Sequence, residues 1–321
     1  MGIQTVRMAC LVLLGAWGAN VFGQDSGGAP SQAEPAEASA EAPRAGFSTG
    51  LGEWSLARRY PDQAVWLDME DQGRALGLFL PEYVTPATGA LLVLADEGQT
   101  ADEGVLGPLR LALAERGVAV MTIGLGVPPE VVRRQRTNVA VPEPEPEAAA
   151  GQNSDSSGAP SDSTTIDVAE ESSLDEIAVR FRNRVRDTLT AGYSELQRRG
   201  YERPSVLGIG WSADYVTGWA QDAAAVSAVV WLVPRFPAQR ANALPSMFSQ
   251  GAEGRQSWPV LDLQRSASAE GKARAAAFAR AAVAGYERQP LALSQPLRDA
   301  DAGRIASRIS AWLGNRSSGP D

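Results

Sequence analysis

Uninterrupted apolar runs constrain this chain more than any other feature. Ala90-Leu91-Leu92-Val93-Leu94 carries no polar side chain on either alternate face. Successive side chains of a strand point to opposite sides of its sheet, so such a run must be covered on both. Val118 to Ile123, Ser205 to Ile209, Ala228 to Val233 and Trp258 to Leu263 read as further strands, and Arg288 to Leu293 as a last one. Helical periods lie between them. Leu106, Leu109, Ala112 and Leu113 share a face over Val105 to Arg116, and Gly117 stops that helix. Ile177, Phe181, Val185, Leu189, Tyr193 and Leu196 recur about every fourth residue, from a capping-box pair Ser173/Glu176 to Gly200. Asp214 to Ala224, Ala267 to Ala284 and Ala302 to Leu313 complete the helices. Strands alternating with helices predict an α/β fold, a mostly parallel sheet with helices on both faces. Gln63 to Met69 and Arg74 to Leu80, joined by Asp71-Gln72-Gly73, predict an N-terminal antiparallel hairpin.

The flanks read differently. Arg7, the apolar stretch Met8 to Val21 and the small residues Val21 and Gly23 match a signal peptide over residues 1–23. The run is short and glycine-containing for a membrane span, so the expectation is export to a periplasm with no stable span after cleavage. An N-terminal membrane anchor is the alternative. Cys10, the only cysteine, lies within that run. The mature chain would then hold no disulfide and no thiolate ligand. Residues 24–50 read as a disordered leader, and 142–173, beginning with three Pro-Glu repeats, as a disordered insertion. The α/β domain spans 51–314, and 315–321 form a tail. The net charge of −9 argues against nucleic acid as a partner, because phosphate contacts need a basic surface.

Sites in such sheets form at the carboxyl ends of strands. Three strand ends are informative: Asp96-Glu97-Gly98-Gln99, Gly124 to Pro129, and Gly210-Trp211-Ser212-Ala213-Asp214. The last reads as a sharp strand-to-helix turn presenting a serine, with Ser212 in the nucleophile slot. A serine hydroxyl needs a base to take its proton. This chain has no histidine. Lys272, the only lysine, stands between Glu270 and Arg274 on a helix face read as exposed, where it stays protonated and is a poor base. Asp262, near a late strand end, is the candidate for the acid slot. Asp96, Glu97 and Asp214 place negative charge where an acyl-transfer site would stabilise an oxyanion. They lack calcium-loop spacing, and no metal is predicted. Gly208-Ile209-Gly210-Trp211-Ser212-Ala213 also matches a dinucleotide fingerprint, but the next strand ends at Val233-Pro234-Arg235 without an acidic ribose ligand, so no cofactor is predicted.

Arg58-Arg59-Tyr60-Pro61, Ala90 to Gln99, Gly107-Pro108-Leu109-Arg110, Leu113-Ala114-Glu115-Arg116-Gly117 and Val206 to Tyr215 resemble an exported α/β-hydrolase-like domain-of-unknown-function family, number 3530. The resemblance spans about Ser55 to Leu313. It implies an α/β-hydrolase-like fold and no established reaction. It also implies that a catalytic histidine, had there been one, would come from Ser294 to Asp301.

Two readings follow. The first is a periplasmic pseudoenzyme without triad catalysis, binding a small molecule or an envelope protein in a cleft built by Asp96, Glu97, Gly98, Gly210, Trp211, Ala213 and Asp214. The second is a weak serine esterase or acyl hydrolase using Ser212 with an atypical base.

Overall fold

The computed structural model describes residues 51–69, 73–137, 164–223, 226–249 and 258–317. The segments read from sequence as signal peptide and leader, and most of the expected insertion, lie outside these residues. The elements in chain order are α1 (Leu51–Arg59), β1 (Ala64–Met69), β2 (Gly73–Leu80), β3 (Gly89–Glu97), α2 (Leu106–Ala114), β4 (Val118–Leu125), α3 (Glu130–Thr137), α4 (Thr164–Arg198), β5 (Ser205–Ile209), α5 (Ser212–Asp222), β6 (Val229–Leu232), α6 (Ala238–Ser249), β7 (Val260–Arg265), α7 (Ala269–Arg280), β8 (Tyr286–Leu291) and α8 (Ala302–Ser317). Among the described residues the strands form one eight-stranded sheet in the order β1-β2-β4-β3-β5-β6-β7-β8. β2 is antiparallel to both β1 and β4, and the remaining pairs are parallel. The fold is α/β-hydrolase-like, with the expected hairpin at one edge.

The apolar runs explain the layering. Leu92 and Leu94 of β3 face one layer, with Val185, Leu189 and Tyr193 of α4, Val216 of α5 and Phe278 of α7. Leu91, Val93 and Ala95 face the other, with Leu106, Leu109 and Leu113 of α2 and Ile305, Ile309 and Trp312 of α8. Leu91, Leu92 and Val93 are wholly buried. Burying each side chain contributes about 1.5–3 kcal/mol, and the few polar residues of the central strands, such as Thr122 and Asp262, are hydrogen-bonded where they are buried.

Several boundaries differ from the sequence reading. Helix α4 begins at Thr164, so Ser173 and Glu176 lie inside it rather than at its start. A capping-box spacing is local, and the Val168-Ala169-Glu170-Glu171 stretch before it is compatible with helix. The last helix runs on to Ser317, into the presumed tail. Helices α1, α3 and α6 escaped the periodicity test. The first two are only nine and eight residues long, and α6 contains Pro245. No helix among the described residues is long and apolar enough to cross a membrane.

A buried ion pair ties the N-terminal elements to the sheet. Arg110 of α2 is 3% exposed. Its guanidinium donates to Asp102 Oδ1 (2.8 Å), Gln63 Oε1 (3.0 Å), Thr122 Oγ1 (2.9 Å) and the Ala101 carbonyl (3.3 Å). The Tyr60 hydroxyl donates to Asp102 Oδ2 at 2.7 Å, and the Tyr60 ring lies 5.6 Å from the guanidinium carbon. Tyr60 and Arg110 therefore serve architecture: Arg110 is enclosed and well satisfied, and the half-buried Tyr60 flanks it. Removing one partner of a buried pair strands the other charge. Arg110→Ala should lower unfolding free energy by about 3–5 kcal/mol in chemical denaturation. A loss under ~1 kcal/mol, the range of an exposed pair, would contradict this role.

Candidate functional site

The turn after β5 is built from two glycines. Gly208 is the last-but-one residue of β5, and a Cβ there would stand 2.6 Å from both N and Cα of Ala213. Only glycine lets α5 start that close to the strand. Gly210 has φ +58° and forms the apex of the turn. Its N–H donates to the Leu232 carbonyl, and its own carbonyl accepts the Arg235 N–H at 2.8 Å. The nucleophile turn of hydrolases holds its reactive residue at such a strained apex. Here the apex carries no side chain.

Ser212 lies two residues further on, inside the first turn of α5, and is 0% exposed. Its Oγ accepts the Ile209 N–H at 2.7 Å and shares its proton between the carbonyls of Leu94 and Ile209, 2.9 Å each. The hydroxyl fastens α5 to the ends of β3 and β5 and does not reach solvent. The sequence reading put the serine at the apex because it followed residue type. The backbone puts Gly210 there, because the position with positive φ goes to glycine.

Asp96 fills the space above that apex. A Cβ on Gly210 would stand 2.2 Å from Asp96 Oδ2 and 2.5 Å from Oδ1. Asp96 Oδ1 accepts the Trp211 N–H and the Glu97 N–H, each at 2.9 Å. In the hydrolase turn, the amide after the nucleophile and an amide after the third strand form the oxyanion hole. In this chain the protein's own carboxylate occupies both donors. Oδ2 makes no hydrogen bond among the described residues.

The other residues read from sequence separate. Glu97 turns away from Gly210. It pairs with Nη1 and Nη2 of Arg136, at the end of α3, and accepts the Tyr215 hydroxyl at 2.9 Å. The Arg136 guanidinium also lies 4.4 Å from the Trp211 ring centroid. Burial would lower the Arg136 pKa, but the Glu97 carboxylate and the Tyr215 oxygen outweigh it and raise it. Burial pushes the Tyr215 hydroxyl up as well, reinforced by Glu97. Asp214 faces Arg240 of α6 at 3.3 Å, and its carboxyl is raised by burial against the pull of Arg240. Ala213 is buried, and Gly98 is an exposed loop residue with φ +78°. The negative charge expected around the turn thus reduces to Asp96, because Glu97 and Asp214 each have a cationic partner.

Asp262 sits in mid-strand on β7 and is fully buried. It accepts from Arg274 Nε (2.9 Å), the Tyr286 hydroxyl (2.7 Å) and Gln264 Nε2 (2.8 Å), all within the β7–α7–β8 layer. It serves that layer and does not line the turn. Lys272 is exposed on α7. Among the described residues no three carboxylates, cysteines or histidines cluster to hold a metal.

The carboxyl ends of the parallel strands enclose a cleft of about 310 Å³. Asp96 and Gln99 enter from the end of β3 and Gly210 from the turn. Val233 and Arg235 follow β6, Arg265 ends β7, and Gln295 to Leu297 come from the segment before α8. That segment is where the family resemblance would have placed a histidine, and it does reach the cleft. Of the seven residues assigned from sequence, only Asp96 and Gly210 line it. Arg235 and Arg265 went unrecognised, although the rule that sites form at strand ends points to both.

The geometry makes Asp96 and Gly210 interdependent. Gly210→Ala should cost about 1–2 kcal/mol for the left-handed backbone alone, plus the clash with Asp96. Asp96→Ala removes the clash. A double-mutant cycle should therefore give a coupling of about 0.5–3 kcal/mol, with the double variant more stable than the sum predicts. Additive losses would mean that the two residues do not share that space.

The family model described as Protein of unknown function (DUF3530) matches residues 6–315. No curated protein matches the chain. Among solved structures it is similar to the esterase domain of a Rhodothermus marinus protein (14% identity, 78% of this chain and 97% of that one, TM-score 0.47). It is also similar to Est1E from Butyrivibrio proteoclasticus (9% identity, 80% and 100%, TM-score 0.45) and to a dienelactone hydrolase from Anabaena variabilis (16% identity, 78% and 95%, TM-score 0.42). With the family model covering nearly the whole sequence, the chain belongs to the family Protein of unknown function (DUF3530).

Proposed function

We propose that this chain is an exported binding protein of α/β-hydrolase-like fold that takes a small molecule in its strand-end cleft and carries out no triad catalysis. The observation that carries the reading is the Asp96 carboxylate on the Trp211 and Glu97 amides, above an apex that is Gly210. An acyl-transfer oxyanion would have to displace a resident negative charge from its own donors. Three further facts support the reading: the chain has no histidine, Ser212 is enclosed, and Lys272 stands out on α7. Export rests on the N-terminal sequence, Arg7 followed by the apolar run to Val21.

Fluorophosphonate labelling of the folded mature protein tests the chemistry. Intact mass should show no adduct, and ester substrates should turn over no faster in wild type than in Ser212→Ala. A stoichiometric adduct mapped to Ser212 would overturn the reading. Expression with the native N-terminus tests export. The periplasmic product should begin at Gln24, and an uncleaved product retained in membranes would favour the anchor instead.

A further inference from the structure

The lining of the cleft has a sign opposite to that of the chain. Acidic residues outnumber basic ones 38 to 29 overall. Yet the cleft presents two guanidinium groups, Arg235 and Arg265, against the single carboxylate of Asp96. Oδ1 of that carboxylate is already engaged by two backbone amides. The arginines are held differently. Arg265 donates from Nε and Nη2 to the Ser294 carbonyl, at 3.2 and 3.1 Å, which fixes its plane and leaves Nη1 for a ligand. The backbone of Arg235 is fixed by its N–H on Gly210, while its side chain is exposed and has no ion pair among the described residues. Apolar side chains complete the cavity: Val105, Ile209, Val233 and Leu297.

We infer that the cleft binds a small organic carboxylate with an apolar body, its carboxylate on Arg235 and Arg265 and a donor group, hydroxyl or ammonium, on Oδ2 of Asp96. This rests on the binding reading above and names its ligand class. Planar guanidinium groups match carboxylates in two-point geometry, and their charge-assisted hydrogen bonds are the strong ones. A volume of about 310 Å³ suits a ligand at the small end of the usual range. Burial lowers the pKa of Arg265, and the nearby Arg235 charge lowers it further, with Asp301 opposing. Two cations thus share the cleft with incomplete compensation, a state that an anion relieves. Holding one arginine rigidly in advance reduces the ordering cost of binding.

Three probes of nearly equal size separate the parts: 3-phenylpropionate, phenyllactate and phenylalanine, with inorganic phosphate as a fourth. Calorimetric or NMR titration of the full mature protein should show saturable binding of the carboxylates. Phenyllactate or phenylalanine should bind more tightly than phenylpropionate, and that preference should vanish in Asp96→Ala. Arg235→Gln, which changes an exposed side chain and should keep the wild-type melting temperature, should weaken every carboxylate about tenfold or more. Arg265→Gln should do the same. The inference is overturned if none of the carboxylates binds saturably, if Arg235→Gln binds them unchanged, or if phosphate binds more tightly than all three. Failure here with no fluorophosphonate adduct would leave the non-catalytic reading intact and remove only the ligand class. An adduct on Ser212 would remove the reading itself.

Discussion

One carboxylate ties the end of β3 to the start of α5 across the turn whose apex is Gly210. Asp96 is the last-but-one residue of β3, and its Oδ1 accepts the amide of the strand's last residue and an amide from the start of α5. The β5–α5 turn can close over it only because residue 210 has no side chain. Backbone amides that converge at a helix start seek an anion, supplied in hydrolases by the transition state. Here the anion is covalently part of the protein. The same contact thus satisfies two backbone donors and fixes the turn, and under the proposed function it withholds those donors from a substrate.

Around that contact the structure divides stabilising polar groups from unspent ones. Arg110 with Asp102, Arg136 with Glu97, and Arg274 with Asp262 each meet their charge in poorly solvated surroundings. Such pairs cost desolvation and repay it through geometry and extra hydrogen bonds, so they set position more than they add stability. Arg136 carries the end of α3 onto Trp211 and Tyr215, which places that helix beside the turn. Arg235 and Oδ2 of Asp96 have no such partner among the described residues, and both groups border the cleft.

Much of the fold was legible because buried parallel strands are compositionally unmistakable. Ala90 to Leu94 has the continuous apolar character expected of a strand buried on both faces, and the α4 stripe from Ile177 to Leu196 announced its buried face. Short helices such as α3 were not legible, since eight residues with two apolar side chains carry little period. The site was half legible. The absence of histidine and the negative charge of Asp96 could be read directly, as could the strand-to-helix turn. Its register could not be read from residue type: serine attracted the assignment, whereas the decisive quantity was a dihedral angle. Gly208 and Gly210 held the signal, because close approach and positive φ each demand glycine, and together they place the apex two residues before Ser212. Pairing across the chain was invisible for a different reason. Nothing local links Glu97 to Arg136 or Asp214 to Arg240, so acids counted as free charge were already neutralised.

Amide hydrogen exchange at Trp211 and Glu97, resolved by NMR in wild type and in Asp96→Ala, tests the central contact most directly. If Asp96 occupies both donors, these two amides are protected in wild type and exchange faster together in the variant, while the amides of β5 and of β3 from Ala90 to Leu94 are unchanged. Equal exchange rates in the two proteins would contradict the account, because the donors would then be open to a substrate oxyanion.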